Sequence, residues 1–482
     1  MDPVLACQNL SVTFHSGATP VRDISFTVAP GECLALVGGS GAGKSTIAKA
    51  LVGLHRNGTK VSGSLRLGGR QMVGADRATW RQVRGRQIGF VAQNPWASCD
   101  PLRAVGDHVA EAWRCHDLTM SWRGIAARLD KLGVSDAGRR IAQHPHTWSG
   151  GMLQRASIAA AGALVPPLLI ADEPTSALDA DRAEAVMTAL RSLGSAVVLI
   201  SHDIGLVLRH ADRVGVLHDG GLVEESTPEA LQSAPAHPAT RHLLAALAPL
   251  PPRRAPAPAA PVLRMAGVSA LYDKGRLPAV VDADLEVVAG RIVGVQGPSG
   301  CGKSTLLRLA MGIETPTGGT VWRDDALKRP GAILPVFQDP VGSLVPHWPV
   351  WRSVAEPLTA PGRPRASAAQ RRERVAAALA RVGLGGIDPE ARPSELSVGQ
   401  CQRVALARAT IAAPAMIVAD EPTSALDSPS TWRVSKLLRD AAENGTAVLV
   451  VSHDSGFLAR LADDVVGMEA GRTRGPIRAA PR

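Results

Sequence analysis

GGSGAGKST (residues 38–46) and GPSGCGKST (297–305) are the stretches that decide the fold. Both fit GxxxxGK[ST]. Each follows a short β-rich run, CLALVG (33–38) or RIVGVQG (291–297), and each opens a helical stretch. Such a loop wraps consecutive backbone N–H groups around phosphate oxygens, and glycine alone permits the backbone angles and the close approach. The candidate phosphate-binding residues are Gly38, Gly39, Ser40, Gly41, Ala42, Gly43, Lys44, Ser45 and Thr46, with Gly297, Pro298, Ser299, Gly300, Cys301, Gly302, Lys303, Ser304 and Thr305 in the second loop. Lys44 and Lys303 are expected to reach the β- and γ-phosphates, and Ser45 and Ser304 to ligate Mg²⁺ through their hydroxyls. One match could be a chance glycine-rich turn. Two, each between a strand and a helix, argue against chance.

Outward from the loops, PLLIAD (167–172) and AMIVAD (415–420) read as buried strands ending in acid. Asp172 and Asp420 are placed to hold Mg²⁺ through water, and the adjacent Glu173 and Glu421 to activate or orient an attacking water. A strand-terminal Asp-Glu pair alone is more often a solvated loop; downstream of a phosphate loop it is the other half of a hydrolytic site. AVVLIS (196–201) and AVLVVS (447–452) are further strands. Strands alternating with helical stretches predict an α/β fold with a largely parallel, helix-covered sheet.

The chain states this arrangement twice. IADEPTSALD (170–179) recurs as VADEPTSALD (418–427), and ISHD (200–203) as VSHD (451–454). Several motifs repeated in one order indicate a duplicated domain rather than a solenoid. Between the copies, APLPPRRAPAPAAP (248–261) has no material for a core and reads as a semi-rigid, polyproline-like linker. The expected domains are 1–247 and 262–482, joined by 248–261.

Composition limits the alternatives. The formal charge of +10 is spread over 482 residues, and only 3% are aromatic, so neither a basic tract nor base-stacking platforms point to nucleic acid. The six cysteines form no CxxC pair, so no zinc knuckle or iron–sulfur clasp is written here. The opening Met1-Asp2-Pro3 lacks the pattern of a signal peptide. No apolar run reaches the ~20 residues needed to span a bilayer, so a membrane role would require other chains to supply the channel.

The order of phosphate loop, glutamine, SGG-type signature, DEPTSALD and SHD, twice over nearly the whole chain, resembles the ATP-binding cassette (ABC) ATPases. The resemblance implies two P-loop NTPase domains, each with a mainly parallel helix-covered sheet, an antiparallel β subdomain and a helical signature subdomain. It implies ATP and Mg²⁺ as cofactors. Gln93 in VAQNP and Gln338 in VFQDP match the Q-loop glutamine, which meets Mg²⁺ and senses the partner domain. Ser149, Gly150 and Gly151 in WSGGMLQR, and Ser397, Val398, Gly399 and Gln400 in LSVGQCQR, match the signature. Asp179 and Asp427 match the D-loop, and His202 and His453 the switch histidine that contacts the γ-phosphate. Phe14 and Tyr272 fall where the family stacks an aromatic on adenine, a looser match because an aromatic at a strand end is often core.

In this family ATP is sandwiched between the phosphate loop of one cassette and the signature of the other. The resemblance therefore implies two composite sites within one chain, pairing Lys44 with Ser397 and Lys303 with Ser149. Both glutamates and both histidines are present, so neither site has lost its catalytic core. Val398 departs from the pattern, which has glycine there. A branched residue disfavours positive φ and crowds a place where backbone meets phosphate, so the Lys44 site is expected to be slower or to close less tightly.

AHPATRHLLAALAPL (236–250) resembles the HPYTRxLL segment of oligopeptide, dipeptide and nickel importers, with Ala239 in place of the usual tyrosine. QNPWASCDP (93–101) and QDPVGSLVP (338–346) resemble their Q-loop surroundings. The resemblance implies a peripheral subunit on the cytoplasmic face of the membrane. Two permease subunits would dock after Gln93 and Gln338, and an extracytoplasmic binding protein would deliver cargo. The alternatives are a sugar importer's tandem ATPase and a soluble twin cassette acting on ribosomes or DNA. Against the last, the linker is short and carries only Arg253 and Arg254 for charge.

Overall fold

CLALVG, the run leading into the first phosphate loop, is buried at all six positions, which places it inside a sheet covered on both faces. The computed structural model describes residues 2–39, 41–55, 57–175, 178, 180–247, 250, 260–272, 277–298, 300–364, 366–424 and 426–477. The chain divides into two compact units, Met1–Leu247 and Ala248–Arg482.

The first unit contains β1 (Leu5–Thr13), β2 (Val21–Val28), β3 (Cys33–Gly38), β4 (Lys60–Leu67), β5 (Arg70–Gln71), β6 (Ile88–Val91), β7 (Leu168–Asp172), β8 (Ala196–Ile200), β9 (Arg213–His218) and β10 (Gly221–Ser226). Six of these form one sheet in the order β10-β9-β3-β8-β7-β6, parallel throughout except for β10. The others form an antiparallel sheet, β2-β1-β4-β5. Along β2 the burial nearly alternates, as expected of a strand with one wet face. Between β6 and β7 the chain builds a helical segment. Val105–Cys115, Trp122–Lys131 and Gly150–Ala161 pack through Val109, Trp113, Ile125, Leu129 and Leu153.

The second unit repeats the plan with β11 (Pro261–Tyr272), β12 (Leu277–Val288), β13 (Ile292–Gln296), β14 (Gly318–Arg323), β15 (Ile333–Val336), β16 (Met416–Asp420), β17 (Ala447–Ser452), β18 (Asp464–Glu469) and β19 (Arg472–Ile477). Its main sheet runs β15-β16-β17-β13-β18-β19, again parallel save for the last strand. The antiparallel sheet is β12-β11-β14. The copies differ after β4 and β14. The first unit adds β5 and the helix Arg77–Val83, where the second has only the short turn Asp325–Leu327.

The expected α/β architecture is therefore present twice. Parallel strands all end on one edge of their sheet, so the loops after β3, β6, β7 and β8 emerge together, as do those after β13, β15, β16 and β17. Leu169 and Ile417, both fully buried, anchor the acid-bearing strands β7 and β16. Truncating either to Ala would cost about 2–5 kcal/mol.

The HPATR segment closes the first unit. The Glu224 carboxylate on β10 accepts N–H groups from Ala236 (2.9 Å) and His237 (2.8 Å), and the Thr240 hydroxyl (2.5 Å). The Arg241 guanidinium donates to the carbonyls of Pro235 and Ala236. The segment thus clips the helix Pro238–Ala245 to the sheet. Most of 248–261 lies outside the described residues, and Pro261 already belongs to β11.

Candidate active site

The phosphate loops owe their shape to glycines. Gly43 (φ +94°) and Gly302 (φ +105°) cap the helices Lys44–Leu51 and Lys303–Met311 in the left-handed region. A Cβ would lie 2.3 Å from the Pro20 carbonyl at Gly43 and 1.9 Å from the Ala279 carbonyl at Gly302. No side chain fits, so the loop can pass this close only as glycine. At Gly41 (φ +83°) and Gly300 (φ +81°) a Cβ would meet nothing within 4 Å, and there the left-handed backbone alone favours glycine. Lys44 Nζ donates to the Gly38 (2.7 Å) and Gly39 (2.9 Å) carbonyls, and Lys303 Nζ to those of Gly297 and Pro298, both 2.8 Å. Each ammonium thus lies across its own loop. Ser40 and Ser299 lie outside the described residues.

The serine after each lysine meets the aspartate predicted to work with it. Ser45 Oγ donates to Asp172 (3.1 Å) and Ser304 Oγ to Asp420 (2.7 Å). Burial pushes both carboxyls above the ordinary carboxylate range, while the serine bonds pull them back. A hydroxyl and a carboxylate, hard oxygen donors side by side at the end of the sheet, suit Mg²⁺ held by few protein ligands. Among the described residues no three His, Cys, Asp or Glu side chains converge as a zinc or iron site would require. Gln93 and Gln338 are exposed, each two residues beyond its strand, β6 or β15.

Glu173 (φ +51°) and Glu421 (φ +49°) are buried and adopt left-handed backbone. This is uncommon for a residue with a side chain and clusters at functional sites. The neighbouring strand holds them there, since Glu173 N–H donates to the Ile200 carbonyl (2.8 Å) and Glu421 N–H to that of Val451 (3.0 Å). The turn brings each carboxylate to a histidine. Glu173 Oε2 pairs with His202 Nδ1, and Glu421 Oε2 lies 2.9 Å from His453 Nδ1. For His453 the bond to Glu421 raises the imidazole pKa above its ordinary value. For His202, burial opposes the charge, but the bond and charge of Glu173 outweigh it and the pKa is again raised.

The residues flanking these histidines were not singled out in sequence. Ser201 and Ser452 accept the N–H of Asp203 and Asp454, both at 3.0 Å. Those aspartates cap the helices Ile204–His210 and Ser455–Leu461. The whole Ser-His-Asp triplet repeats in both copies, and that repetition was the available signal. In both units the histidine ring meets the glutamate while its neighbours hold the corner, and in the second unit Ser452 Oγ also donates to Glu421 Oε2 at 3.4 Å.

The signatures form exposed helix N-termini. Ser149 caps Gly150–Ala161, accepting from Met152 N–H at 3.4 Å, and Ser397 caps Val398–Ile411. In the second, Gln400 completes a capping box: its side chain accepts the Ser397 N–H (2.8 Å) and its N–H donates to Ser397 Oγ (3.2 Å). Met152 cannot return that bond. The expected backbone penalty at Val398 is corrected here. Gly150, at the matching position, has no positive φ, and a Cβ there would approach nothing closer than Trp96 Nε1 at 3.8 Å. Val398 is the first residue of an ordinary helix and is 53% exposed. Only its side chain, not its backbone, distinguishes the two signatures at this point. Asp427 caps Ser428–Glu443; Asp179 lies outside the described residues. Phe14 follows β1 and is 39% exposed; Tyr272 ends β11 and is 40% exposed, so neither is a core residue.

The ABC transporter family model matches residues 21–176 and 280–424. The chain is 36% identical over 505 residues to the peptidoglycan transport ATP-binding protein YejF of Agrobacterium fabrum, covering 98% of this chain and 92% of that one. It is 34% identical over 582 residues to the oligopeptide transport ATP-binding protein OppD of Mycobacterium tuberculosis, covering 98% and 94%. Among solved structures it is similar to a complex of an archaeal ribosome recycling factor with a ribosomal stalk protein. That likeness has a TM-score of 0.66 at 20% identity, over 97% of this chain and 89% of that one. At such identity it is a likeness of fold alone. No helix among the described residues is long and apolar enough to cross a membrane.

Proposed function

The chain belongs to the ABC transporter family as a tandem ATPase of the importer type, and from this premise we propose that it energises the uptake of peptide-like solutes through partner permeases. Two complete glutamate–histidine pairs, one per unit, are the observation that carries two-site hydrolysis.

In each unit Glu173 or Glu421 orients and deprotonates the attacking water, and His202 or His453 contacts the γ-phosphate and holds the glutamate in place. Lys44 and Lys303 leave their loop carbonyls for the β- and γ-phosphates. Mg²⁺, held by Ser45 or Ser304 and through water by Asp172 or Asp420, with Gln93 or Gln338, would neutralise charge on the phosphate oxygens. Each signature serine, at the positive end of a helix, completes the phosphate site of the other cassette: Ser397 for Lys44 and Ser149 for Lys303. Phe14 and Tyr272 stack on adenine; their exposure at strand ends supports this. Asp179 and Asp427 belong to the D-loops.

The names of the relatives, peptidoglycan and oligopeptide transport, support a cargo with peptide bonds over nickel or sugar. The remaining partners would be two membrane permeases contacting the segments after Gln93 and Gln338, and an extracytoplasmic binding protein. The chain would then sit peripherally on the cytoplasmic face of the membrane.

Co-expression with candidate permeases tests this. A stable complex whose ATP hydrolysis rises with a peptide-loaded binding protein supports the proposal. Stimulation by Ni²⁺-loaded binding protein alone would reassign the cargo, and co-sedimentation with ribosomes without permease binding would overturn the importer role.

A further inference from the structure

The two proposed adenine platforms are not equivalent. The Tyr272 hydroxyl donates to Glu314 Oε2 at 2.6 Å. Glu314 Oε1 accepts from the Arg308 guanidinium at 3.0 Å, so both carboxylate oxygens are engaged. Arg308 also reaches the Tyr272 oxygen at 3.5 Å, and Thr305 Oγ1 lies 3.4 Å from it.

The backbone fixes Glu314 independently of these contacts. The helix Lys303–Met311 ends at Gly312 in the left-handed region (φ +77°), and the chain folds back so that Ile313 and Glu314 both donate to the Arg308 carbonyl. Arg323, from β14, also donates to the carbonyls of Leu309 and Ala310 in the last turn. A rigid corner therefore presents the carboxylate to the end of β11. In the first unit Phe14 has no hydroxyl to hold. His55 stands where Glu314 does, eleven residues beyond the loop lysine in both units.

We propose that Glu314 is a positioning residue for nucleotide binding. Its carboxylate fixes the Tyr272 ring in the attitude that receives adenine, so the second unit offers a pre-set base platform and the first an adjustable one. This rests on the reading of Tyr272 as the adenine-stacking aromatic. A ring already held loses less freedom on binding. Immobilising one side chain costs about 0.5–1.5 kcal/mol, equivalent to about 2- to 12-fold in affinity.

Tyr272 is the chain's only tyrosine, so 3-fluorotyrosine labelling of the full chain gives one fluorine NMR signal, reporting on the second unit alone. ATP titrated without Mg²⁺ should shift this signal, and inorganic tripolyphosphate should not. Glu314→Gln should move or broaden the signal before nucleotide is added and weaken the ATP titration about 2- to 12-fold. In a Tyr272→Phe background, Glu314→Gln should leave fluorescent-ATP affinity unchanged, an indifference that a merely structural role would not give. An unaltered signal and titration in Glu314→Gln, or a loss of affinity that persists without the tyrosine hydroxyl, overturns the positioning role. A signal in the unsubstituted chain that ignores ATP overturns the adenine reading beneath it.

Discussion

Glu421 holds His453 by two atoms: one carboxylate oxygen accepts the His453 backbone N–H at 3.0 Å and the other lies 2.9 Å from its Nδ1. The first contact fixes the corner after β17 and the second aims the ring, so acid and histidine move as one element. Glu173 and His202 form the same ring pair in the first unit.

Removing the carboxylate charge should stop chemistry without stopping binding. Glu421→Gln and Glu173→Gln are each expected to slow hydrolysis at their own site by about 10²–10⁴-fold, while fluorescent-ATP affinity stays intact. Single-turnover assays on each variant check this. Loss of binding together with rate would make the glutamates structural.

The pairing also carries a pH signature. The folded-state pKa of His453 lies above its ordinary value of about 6.5. The pair's stabilisation is therefore full below about 6.5 and is lost as pH rises through the folded value. His453→Gln should lower the melting temperature at about pH 6 and make progressively less difference on the alkaline side. A gap that widens with pH would contradict the ion pair.

Val398 separates the two signatures by its side chain alone. In a Glu421→Gln background, where the Lys44 site turns over, Val398→Gly should raise single-turnover hydrolysis, by less than the roughly 10²–10³-fold that a lost donor costs, because the Val398 backbone N–H is already in place. An unchanged rate would show that the isopropyl group is accommodated.

Glu224→Ala removes three hydrogen bonds from the HPATR segment and should destabilise the first unit by about 2 kcal/mol or more. Those bonds to Thr240, Ala236 and His237 outweigh partial burial and depress the Glu224 pKa. The clip's contribution is therefore present above the ordinary glutamate pKa of about 4.3 and fades as pH falls through the lower folded value. Chemical denaturation at neutral and acid pH measures it.

Much of this was legible in sequence because the chemistry lies in contiguous motifs at the ends of parallel strands. GKS, DE and SHD each name their own neighbours, and the repeat doubles the signal. What escaped depends on distance in the chain or on backbone. Tyr272 and Glu314 are 42 residues apart, with Glu314 in no motif, so only the helix-ending turn at Gly312 brings them together. HPATR was readable as a resemblance but not as a clip, because its acceptor, Glu224, lies on the preceding strand. At Val398 the sequence misled: glycine in a signature suggested positive φ, whereas the fold uses that position as a plain helix start.

The most direct test of the account is uptake of a labelled peptide by cells lacking the native chain and complemented with it or with a Glu173→Gln/Glu421→Gln double variant. Uptake restored by the unsubstituted chain and abolished in the double variant, with the protein still at the membrane, is the predicted result. Equal uptake from both would contradict a role for these two sites in driving transport.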